Sequence, residues 1–328
     1  MYIGWIHHYF PKLFGGLAFL VNPLFVYLVF TEKTNSFGNY RFLLLYFAIF
    51  NVVYSGLEVA VPIGIDGYRY CFFLFLTDGL FVHPSTFHHY ILTTRCSMLS
   101  CSYAVLISHF IYRLLVLNRS NFTNTRFPSY IGLSLALCGV YFLCFAWVCE
   151  RWLYPNEEVR EYIRQDFLEK YGAHIDEHNI LVAIFNEGSE ADVWRSWCGI
   201  VILVIISSLA ISVYVFCGYE IMQKLNSARL VMSPATTALQ RKLLKALTVQ
   251  TVIPICISFL PSMIAWFSPV FNYNMGRTFN YTGVIALSAF PFFDPLAIIF
   301  FLPILRNRLL KPRRAESIPI SLASISTR

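Results

Sequence analysis

The chain has 328 residues and a net charge of +7, and 57% of its residues are hydrophobic whereas only 13% are charged. A soluble domain carries about 25% charged residues, so this composition excludes an ordinary water-soluble enzyme or binding domain. The net positive charge would suit nucleic acid as a partner. Its distribution argues against that partner, because Lys and Arg are concentrated in alternate loops.

Seven long apolar stretches follow one another along the chain. The hydrocarbon core of a bilayer, about 30 Å thick, is crossed by roughly 20 helical residues. Backbone amides in lipid must be satisfied within their own segment, which favours helices over strands. The sequence therefore predicts an all-α membrane protein, a seven-transmembrane helix bundle with spans at 10–30, 40–62, 90–117, 130–149, 197–219, 245–267 and 281–302.

Positive charge is unequally divided between the two sets of loops that these spans define. One set holds Lys33, Arg41, Arg113, Arg119, Arg126, Lys224, Arg229, Arg241, Lys242, Lys245, Arg306, Arg308, Lys311, Arg313 and Arg314. Apart from the long loop after the fourth span, the other set holds Lys12, Arg69 and Arg277. Since cytoplasmic loops are enriched in Lys and Arg, the N-terminus is predicted outside and the C-terminus in the cytoplasm.

The spans leave little chain for a second domain. We expect residues 1–310 to form one bundle, with an acidic outer loop at about 150–196. Within that loop Val159, Ile163 and Phe167 recur at helical spacing and predict a short amphipathic lid helix. A second short helix is predicted at 304–310, and residues 311–328 are expected to be a basic, then Ser-rich, disordered cytoplasmic tail.

The sequence indicates neither an enzyme nor a metal protein. It lacks the His-Glu-x-x-His, Gly-x-Ser-x-Gly and Walker patterns, so we predict no catalytic activity and no cofactor. His174 and His178 are four residues apart, but two ligands without a third make a poor metal site, and none is predicted. Cys149 and Cys198 flank the long loop, and the sequence allows either a disulfide between them or two free thiols.

Two opposite charges occur at the same depth in neighbouring spans. Glu58 lies 17 residues after Arg41, and Arg95 lies 18 residues before Arg113. At 1.5 Å per residue, both are about 25 Å from the inner face. An ion pair between them is the preferred interpretation, and the alternatives are that Arg95 binds an anionic ligand group or extends to the outer interface.

A third intramembrane charge, Asp294, lies deep in the seventh span beside Pro295. Proline removes a helical hydrogen bond and permits a kink. A buried carboxyl next to a kink is a candidate switch that binds a proton or sodium, or changes partner on activation. It is equally well explained as a protonated structural side chain.

The third span is rich in Ser and Thr, which favours contacts with other helices over contacts with lipid. One stripe along it, with aromatic and sulfur side chains of the later spans, predicts a pocket for a small, mostly apolar ligand. The predicted ligand-binding residues are Thr94, Met98, Cys101, Ser102, Phe259, Met263, Trp266 and Phe293. The alternative for each of them is ordinary bundle core.

Four segments carry a resemblance to a known family. They are FGNYRFLLLYFAIF at 37–50, FIYR at 110–113, LQRKLLKALTVQTVIP at 239–254 and AFPFFDPL at 289–296. In these segments the chain resembles the nematode serpentine chemoreceptors, specifically class J of the str superfamily. The resemblance implies a G-protein-coupled receptor for olfaction-like sensory perception, located in the plasma membrane of chemosensory neuron cilia. It also implies a heterotrimeric G-protein, a small-molecule ligand and membrane lipid as partners, and leaves any dimer partner open.

The resemblance to rhodopsin-like receptors is weaker at the inner face. Arg113 follows Ile111 and Tyr112, so the acidic residue that usually precedes this arginine is absent. Asp294-Pro295 replaces Asn-Pro, and no tyrosine follows. Tyr112, Arg113, Arg241, Lys242 and Lys245 are the predicted contacts for a G-protein, although charges that only set topology would have the same positions.

A ligand-gated ion channel is the main alternative, because seven-helix chemosensors with inverted topology and channel activity exist in insects. The side of the membrane on which the C-terminus lies distinguishes the two classes. The sequence favours the receptor, in which ligand binding in the outer half of the bundle shifts spans five to seven.

Overall fold

The computed structural model describes residues 4–32, 37–227, 234–273 and 275–310. The predicted tail at 311–328, Lys33 and Arg229 lie outside these ranges. The helices are α1 (Trp5–Phe30), α2 (Tyr40–Ala60), α3 (Thr86–Leu117), α4 (Phe127–Trp152), α5 (Glu157–Tyr171), α6 (Glu190–Ser227), α7 (Pro234–Pro254), α8 (Leu260–Phe267), α9 (Gly276–Phe301) and α10 (Pro303–Leu310). The strands are β1 (Ile63–Tyr68), β2 (Cys71–Leu76) and β3 (Ile180–Ile184).

Six helices of the described chain are long and apolar enough to cross a membrane, namely α1, α2, α3, α4, α6 and α9. They coincide with the first five and the seventh of the predicted spans. Their ends differ from the predicted ends by a few residues, except in α6, which continues beyond the predicted span at both ends. The apolar stretches were therefore correctly interpreted as helices.

The sixth predicted span, 245–267, is not one continuous helix, and this expectation is corrected. Helix α7 ends at Pro254, a π-helical turn follows at Ile255–Phe259, and α8 begins at Leu260. Proline lacks the amide hydrogen that an α-helix needs and its ring clashes with the preceding turn. With Pro254 before the π turn and Pro261 after it, the helix has two adjacent defects and divides there.

Helix α3 is at the centre of the bundle and α4 is at its edge. Within an apolar 18-residue window of each helix, 72% of the window is buried in α3 but only 17% in α4. Large apolar side chains of α4, such as Leu133, Leu143 and Trp147, are exposed on the outside of the bundle, as expected for a helix in lipid. The prediction that the Ser-rich third span faces other helices is confirmed.

A three-stranded antiparallel sheet covers one end of the bundle and was not predicted. Strands β1 and β2 form a hairpin between α2 and α3, and β3 pairs with the free edge of β2. Alternate side chains of β2 face opposite sides, so Phe72 packs on the helices while Phe73 and Phe75 pack on α5. We call this end the sheet end, and the opposite end, where α3 stops and α7 starts, the basic end.

The predicted amphipathic lid helix is confirmed as α5. Val159, Ile163 and Phe167 are buried against the sheet, and Phe167 contacts Phe75 with 5.1 Å between ring centroids. The predicted short helix at 304–310 is also confirmed, as α10.

Removing the N-terminal cap of α5 is expected to loosen the lid. The Asn156 side chain accepts a hydrogen bond from the Val159 amide at 3.0 Å and donates one to Asp192 at 2.7 Å. Asn156→Ala should lower the free energy of unfolding by about 1 kcal/mol, measured by hydrogen exchange in the first turn of α5. Asn156→Ser keeps the cap but loses the bond to Asp192, so it should recover most of the protection. Equal loss in both variants would assign the effect to Asp192 instead.

Candidate ligand and signalling sites

A cavity lies between the sheet and the helices that it covers. The centre of a water-sized sphere can occupy about 70 Å³ of it, several times the roughly 10–15 Å³ that one water molecule needs. Its walls come from β1, β2, β3 and from six of the helices. The lining residues are Tyr54, Ile63, Ile65, Phe72, Leu74, Arg95, Cys96, Leu99, Phe145, Cys149, Leu153, Leu181, Leu203, Ser262, Ala265, Trp266 and Leu287.

Arg95 is the charged residue in this wall, and it belongs to a buried polar cluster. Its Nη2 atom forms an ion pair with Glu58 Oε1, and its Nη1 atom donates to Tyr54 Oη at 3.3 Å. Ser288 Oγ donates to Glu58 Oε2 at 2.6 Å. The relative exposure of the Arg95 and Glu58 side chains is only 2% and 3%. The cluster joins α2, α3 and α9 at one depth, which is the arrangement expected from residue counting, and Arg95 does not extend to the interface.

The predicted ligand-binding residues are only partly gathered at this cavity. Trp266 lines it. Other predicted residues are buried or half-buried outside its wall, and they are Thr94, Met98, Cys101, Ser102, Phe259 and Met263. Phe293 is 41% exposed and packs against Phe14 on α1, with ring centroids 5.9 Å apart.

The face of α3 that lines the cavity is adjacent to the predicted stripe. It carries Arg95, Cys96 and Leu99, about one residue round the helix. The sheet residues of the wall were also missed in the sequence. The run CFFLFL at 71–76, bounded by Gly67 and Gly79, is the signal of a strand buried on both faces and was available to identify them.

Asp66 fastens the sheet to two helices. This residue of β1 is 3% exposed, and its carboxylate accepts hydrogen bonds from Tyr171 Oη at 2.8 Å and Asn280 Nδ2 at 3.1 Å. Lys170 Nζ lies 3.4 Å from the same carboxylate. Burial, with the neighbouring Asp66 carboxylate, raises the pKa of the Tyr171 hydroxyl, which remains a neutral donor. The roof of the cavity is thus linked to α5 and α9.

At the basic end, Arg113 and Tyr112 are inside the bundle. Arg113 is 5% exposed, its guanidinium lies 3.6 Å from the ring centroid of Tyr40, and its Nη1 donates to Gln240 Oε1 at 3.2 Å. Its Nε and Nη2 atoms have no partner among the described residues. Tyr112 stacks on Tyr40, with ring centroids 5.5 Å apart. The Gln240 bond connects the end of α3 to α7.

The other three predicted G-protein contacts lie along α7. Arg241 is half-buried and donates to Asn226 Oδ1 at 3.0 Å. Lys242 and Lys245 are exposed, and Lys245 Nζ lies 5.4 Å from the ring centroid of Phe301. The exposed ammonium groups are accessible to a partner, whereas Arg113 is buried beneath Tyr40 and Gln240.

Asp294 is buried in the middle of α9, with 2% relative exposure. Its Oδ1 atom has no hydrogen-bond partner among the described residues. Three residues before it, the Pro291 carbonyl accepts a hydrogen bond from Asn22 at 3.1 Å, and Asn51 donates to Asn22 Oδ1 at 3.3 Å. A buried carboxyl at a double-proline helix suits a structural role and a switch role alike.

The histidine pair and the cysteines are separate from these sites. His178 is buried and its Nδ1 lies 3.2 Å from the Leu76 carbonyl, whereas His174 is exposed. Burial lowers the pKa of His178, so its ring is neutral near pH 7. All nine cysteines are free thiols, and Cys149 lines the cavity instead of being bridged to Cys198.

Comparison with known proteins identifies the family. The model of the family described as "Serpentine type 7TM GPCR chemoreceptor Srj" matches residues 1–309. Serpentine receptor class J-38 of Caenorhabditis elegans is 43% identical over 305 residues, which cover 93% of this chain and 92% of that protein. G-protein coupled receptor str-33 of the same nematode is 25% identical over 324 residues, covering 94% and 93%.

These matches extend over nearly the whole chain and agree with its apolar helices. They name receptors, not enzymes, and they describe a multi-pass membrane protein with roles in sensory perception and signal transduction. The chain therefore belongs to the class J serpentine chemoreceptors, a nematode family of seven-transmembrane G-protein-coupled receptors.

Proposed function

We propose that this protein is an odorant-type receptor whose ligand binds in the cavity beneath the sheet. The observation that carries the proposal is a cavity at one end of the bundle, enclosed by the sheet and six helices, with an apolar wall and few polar groups. Such a site recognises a small, mostly apolar molecule. The receptor functions at the plasma membrane of chemosensory neuron cilia.

The proposal places the sheet end outside the cell and the basic end in the cytoplasm. The exposed Lys242 and Lys245, and Arg306 and Arg308 of α10, then lie on the cytoplasmic side, in accordance with the enrichment of Lys and Arg in cytoplasmic loops. In this orientation the N-terminus is extracellular. The last span ends on the cytoplasmic side, so α10, which follows it, lies at the inner leaflet.

Signalling proceeds by a shift of α6–α9 relative to α3. Ligand binding displaces Trp266 and its neighbours on α8, and the π turn at Ile255–Phe259 allows α7 to respond differently from α8. Movement of α7 breaks the Arg113–Gln240 bond. Arg113, Tyr112 and the basic residues of α7, with Arg241 among them, then contact a heterotrimeric G-protein.

The buried ionic groups act in this proposal as a switch. Glu58 and Arg95 lie next to the ligand and Ser288 links them to α9, the helix that also contains Asp294. A change at the cavity therefore has a direct path to the double-proline segment of α9. The alternative, an ion channel with inverted topology, receives no support from the comparisons, whose matches name G-protein-coupled receptors.

Epitope tags at the two termini test the orientation. Staining of intact cells is expected to detect the N-terminal tag, and the C-terminal tag only after permeabilisation. A cell-surface marker with known topology, tagged at its cytoplasmic end, controls for membrane integrity. A C-terminal tag exposed on intact cells would contradict the receptor mechanism and favour the channel.

A further inference from the structure

A narrow gap between α8 and α9 lies beside the cavity under the sheet. We propose that the ligand is a small, neutral, lipid-soluble molecule that enters the cavity from the bilayer through this α8–α9 gap, which Gly283 keeps open. The inference rests on the proposed function, because it takes this cavity as the ligand site.

The α8–α9 gap and the cavity have a common wall. The residues that line both of them are Ile65 of β1, Ser262 and Ala265 of α8, and Leu287 of α9. The gap is the narrower space, since the centre of a water-sized sphere can occupy about 20 Å³ of it, little more than the roughly 10–15 Å³ that one water molecule needs. The gap therefore adjoins the cavity and is its constricted continuation.

The position of the gap on α9 places its other side towards lipid. Along this helix Asn280 and Leu287 are buried and Thr282 is exposed, and the half-buried Phe279 and Gly283 lie between these two faces. Gly283 is seven residues from the start of α9, or about 10 Å below that end of the helix. At this depth the outside of a membrane-spanning bundle contacts lipid.

Gly283 keeps the gap open because no neighbouring side chain fills the space beside it. A Cβ atom built on this residue would meet no atom of the described chain within 4 Å, apart from its own neighbours in the helix. Glycine is unfavourable in the interior of a helix, and close packing against another element does not explain it here. The empty space itself is the feature that this glycine provides.

Helix α8, on the other side of the gap, is loosely held. None of its residues, all of which the structure describes, is buried. The π turn at Ile255–Phe259 separates it from α7, and its side chains in the common wall, Ser262 and Ala265, are small. A segment with few buried contacts opens at low cost, so a small displacement of α8 widens the gap and leaves the rest of the bundle in place.

A second route would lead from water. A hollow at the sheet end, between β1 and the turn Ser268–Phe271, also contacts Phe72 and Ala265 of the cavity wall. We call it the outer hollow. Its lining includes Asp66 and Arg69, whereas no charged residue lines the α8–α9 gap among those described. An apolar molecule concentrates in the bilayer and passes apolar side chains more readily than charged ones, which favours the gap.

Methylation of Cys96 by iodomethane measures entry into the cavity. Cys96 lines the cavity and is partly accessible although Arg95 and Ser97 beside it are buried, so its accessible surface faces the cavity. Iodomethane is neutral, lipid-soluble and very small. The thiol gives its proton to the buffer, its sulfur takes the methyl group, and iodide leaves. Cys144, exposed on the outside of α4, is the reference thiol, because it reacts with reagent dissolved in the lipid.

Three substitutions of glycine by leucine compare the routes, with rates measured by mass spectrometry on the full-length receptor in nanodiscs at neutral pH. Gly283→Leu fills the gap and should lower the rate at Cys96, relative to the reference thiol, about tenfold. Gly67→Leu narrows the outer hollow, because a Cβ atom there lies 3.7 Å from Pro269 Cγ, and should leave this ratio unchanged. Gly132→Leu, on the exposed face of α4, is the matched control, since a Cβ atom there also meets no described atom within 4 Å.

The outcomes separate this inference from the proposed function. Phe279→Ala, which widens the gap, should raise the rate at Cys96 and decides the matter if Gly283→Leu does not fold. Equal rates in Gly283→Leu and the matched control, an equal or larger loss in Gly67→Leu, or no methylation of Cys96 overturns the inference. Methylation through the gap in a receptor whose C-terminal tag is exposed on intact cells overturns the proposed function and leaves the entry route standing.

Discussion

Arg95→Met is expected to lower the free energy of unfolding by about 3–5 kcal/mol, the usual cost of removing one member of a buried ion pair. The reason is the charge that remains. Glu58 is 3% exposed, and without Arg95 its carboxylate keeps hydrogen bonds from the neutral hydroxyls of Ser288 and Tyr54 but loses the cation that balances its charge. Most of the variant should fail to reach the cell surface, and what is purified in nanodiscs should unfold at a markedly lower temperature.

The double variant Glu58→Gln/Arg95→Met is the matched control. It removes both charges, retains an oxygen that accepts from Ser288, and keeps similar side-chain volumes. Replacing a whole buried pair is often neutral for stability, so surface expression and the unfolding temperature should return close to those of the unaltered protein. A double variant as unstable as Arg95→Met would show that lost packing, not the unpaired carboxylate, causes the damage.

Asp66→Ala is expected to release the sheet from α5 and α9. The substitution leaves the Tyr171 hydroxyl and the Asn280 amide buried without their acceptor, at a cost of about 2–4 kcal/mol. Hydrogen exchange should accelerate in β1, β2 and α5 and stay slow in the centre of α3. Asp176→Ala is the control, because Asp176 is an exposed carboxylate that pairs with Arg164 at 3.2 Å on the surface, where ion pairs contribute little.

Unchanged exchange in β1 after loss of Asp66 would contradict this account. It would show that the aromatic contacts of α5, such as those between Phe167 and Phe75, hold the sheet without the polar attachment. Loss of exchange protection throughout the bundle would instead mean that the sheet end is required for the helices to associate.

The helices were predictable from the sequence because the bilayer imposes a length. Each of the confirmed spans is an apolar stretch long enough to cross the membrane, and that property is local. The interruption at Ile255–Phe259 was not predicted as such, although the prolines that flank it were noted as sources of kinks. Hydropathy is insensitive to this defect, since the π turn and α8 are themselves apolar.

The interior face of each helix was much less accessible to prediction. In a soluble protein polar residues identify the surface, but lipid is as apolar as the protein core. Thr94 and Arg95 are neighbours on α3, which is buried on several faces, and the pattern does not distinguish the face with the cavity from the others. The Glu58–Arg95 pair could be predicted, because the charge of each residue and its depth in the membrane both follow directly from the sequence.

The polar attachment of the sheet depends on contacts that are distant along the chain. Asp66 is 105 residues from Tyr171 and 214 residues from Asn280. No spacing rule connects such residues without an alignment or a known topology. Strand β2, in contrast, could have been predicted from its apolar run. The run is too short to span a membrane, and no strand was predicted there.

The position of β2 between two cores separates two properties of the molecule. Because side chains alternate across a strand, Phe72 and Leu74 face the cavity while Phe73 and Phe75 support α5. If the cavity binds the ligand as proposed, substitutions at the first pair should alter which molecule is recognised, and substitutions at the second should alter how stably α5 and the sheet cover the cavity. A strand of six residues would then let ligand range and stability change independently, through alternate positions.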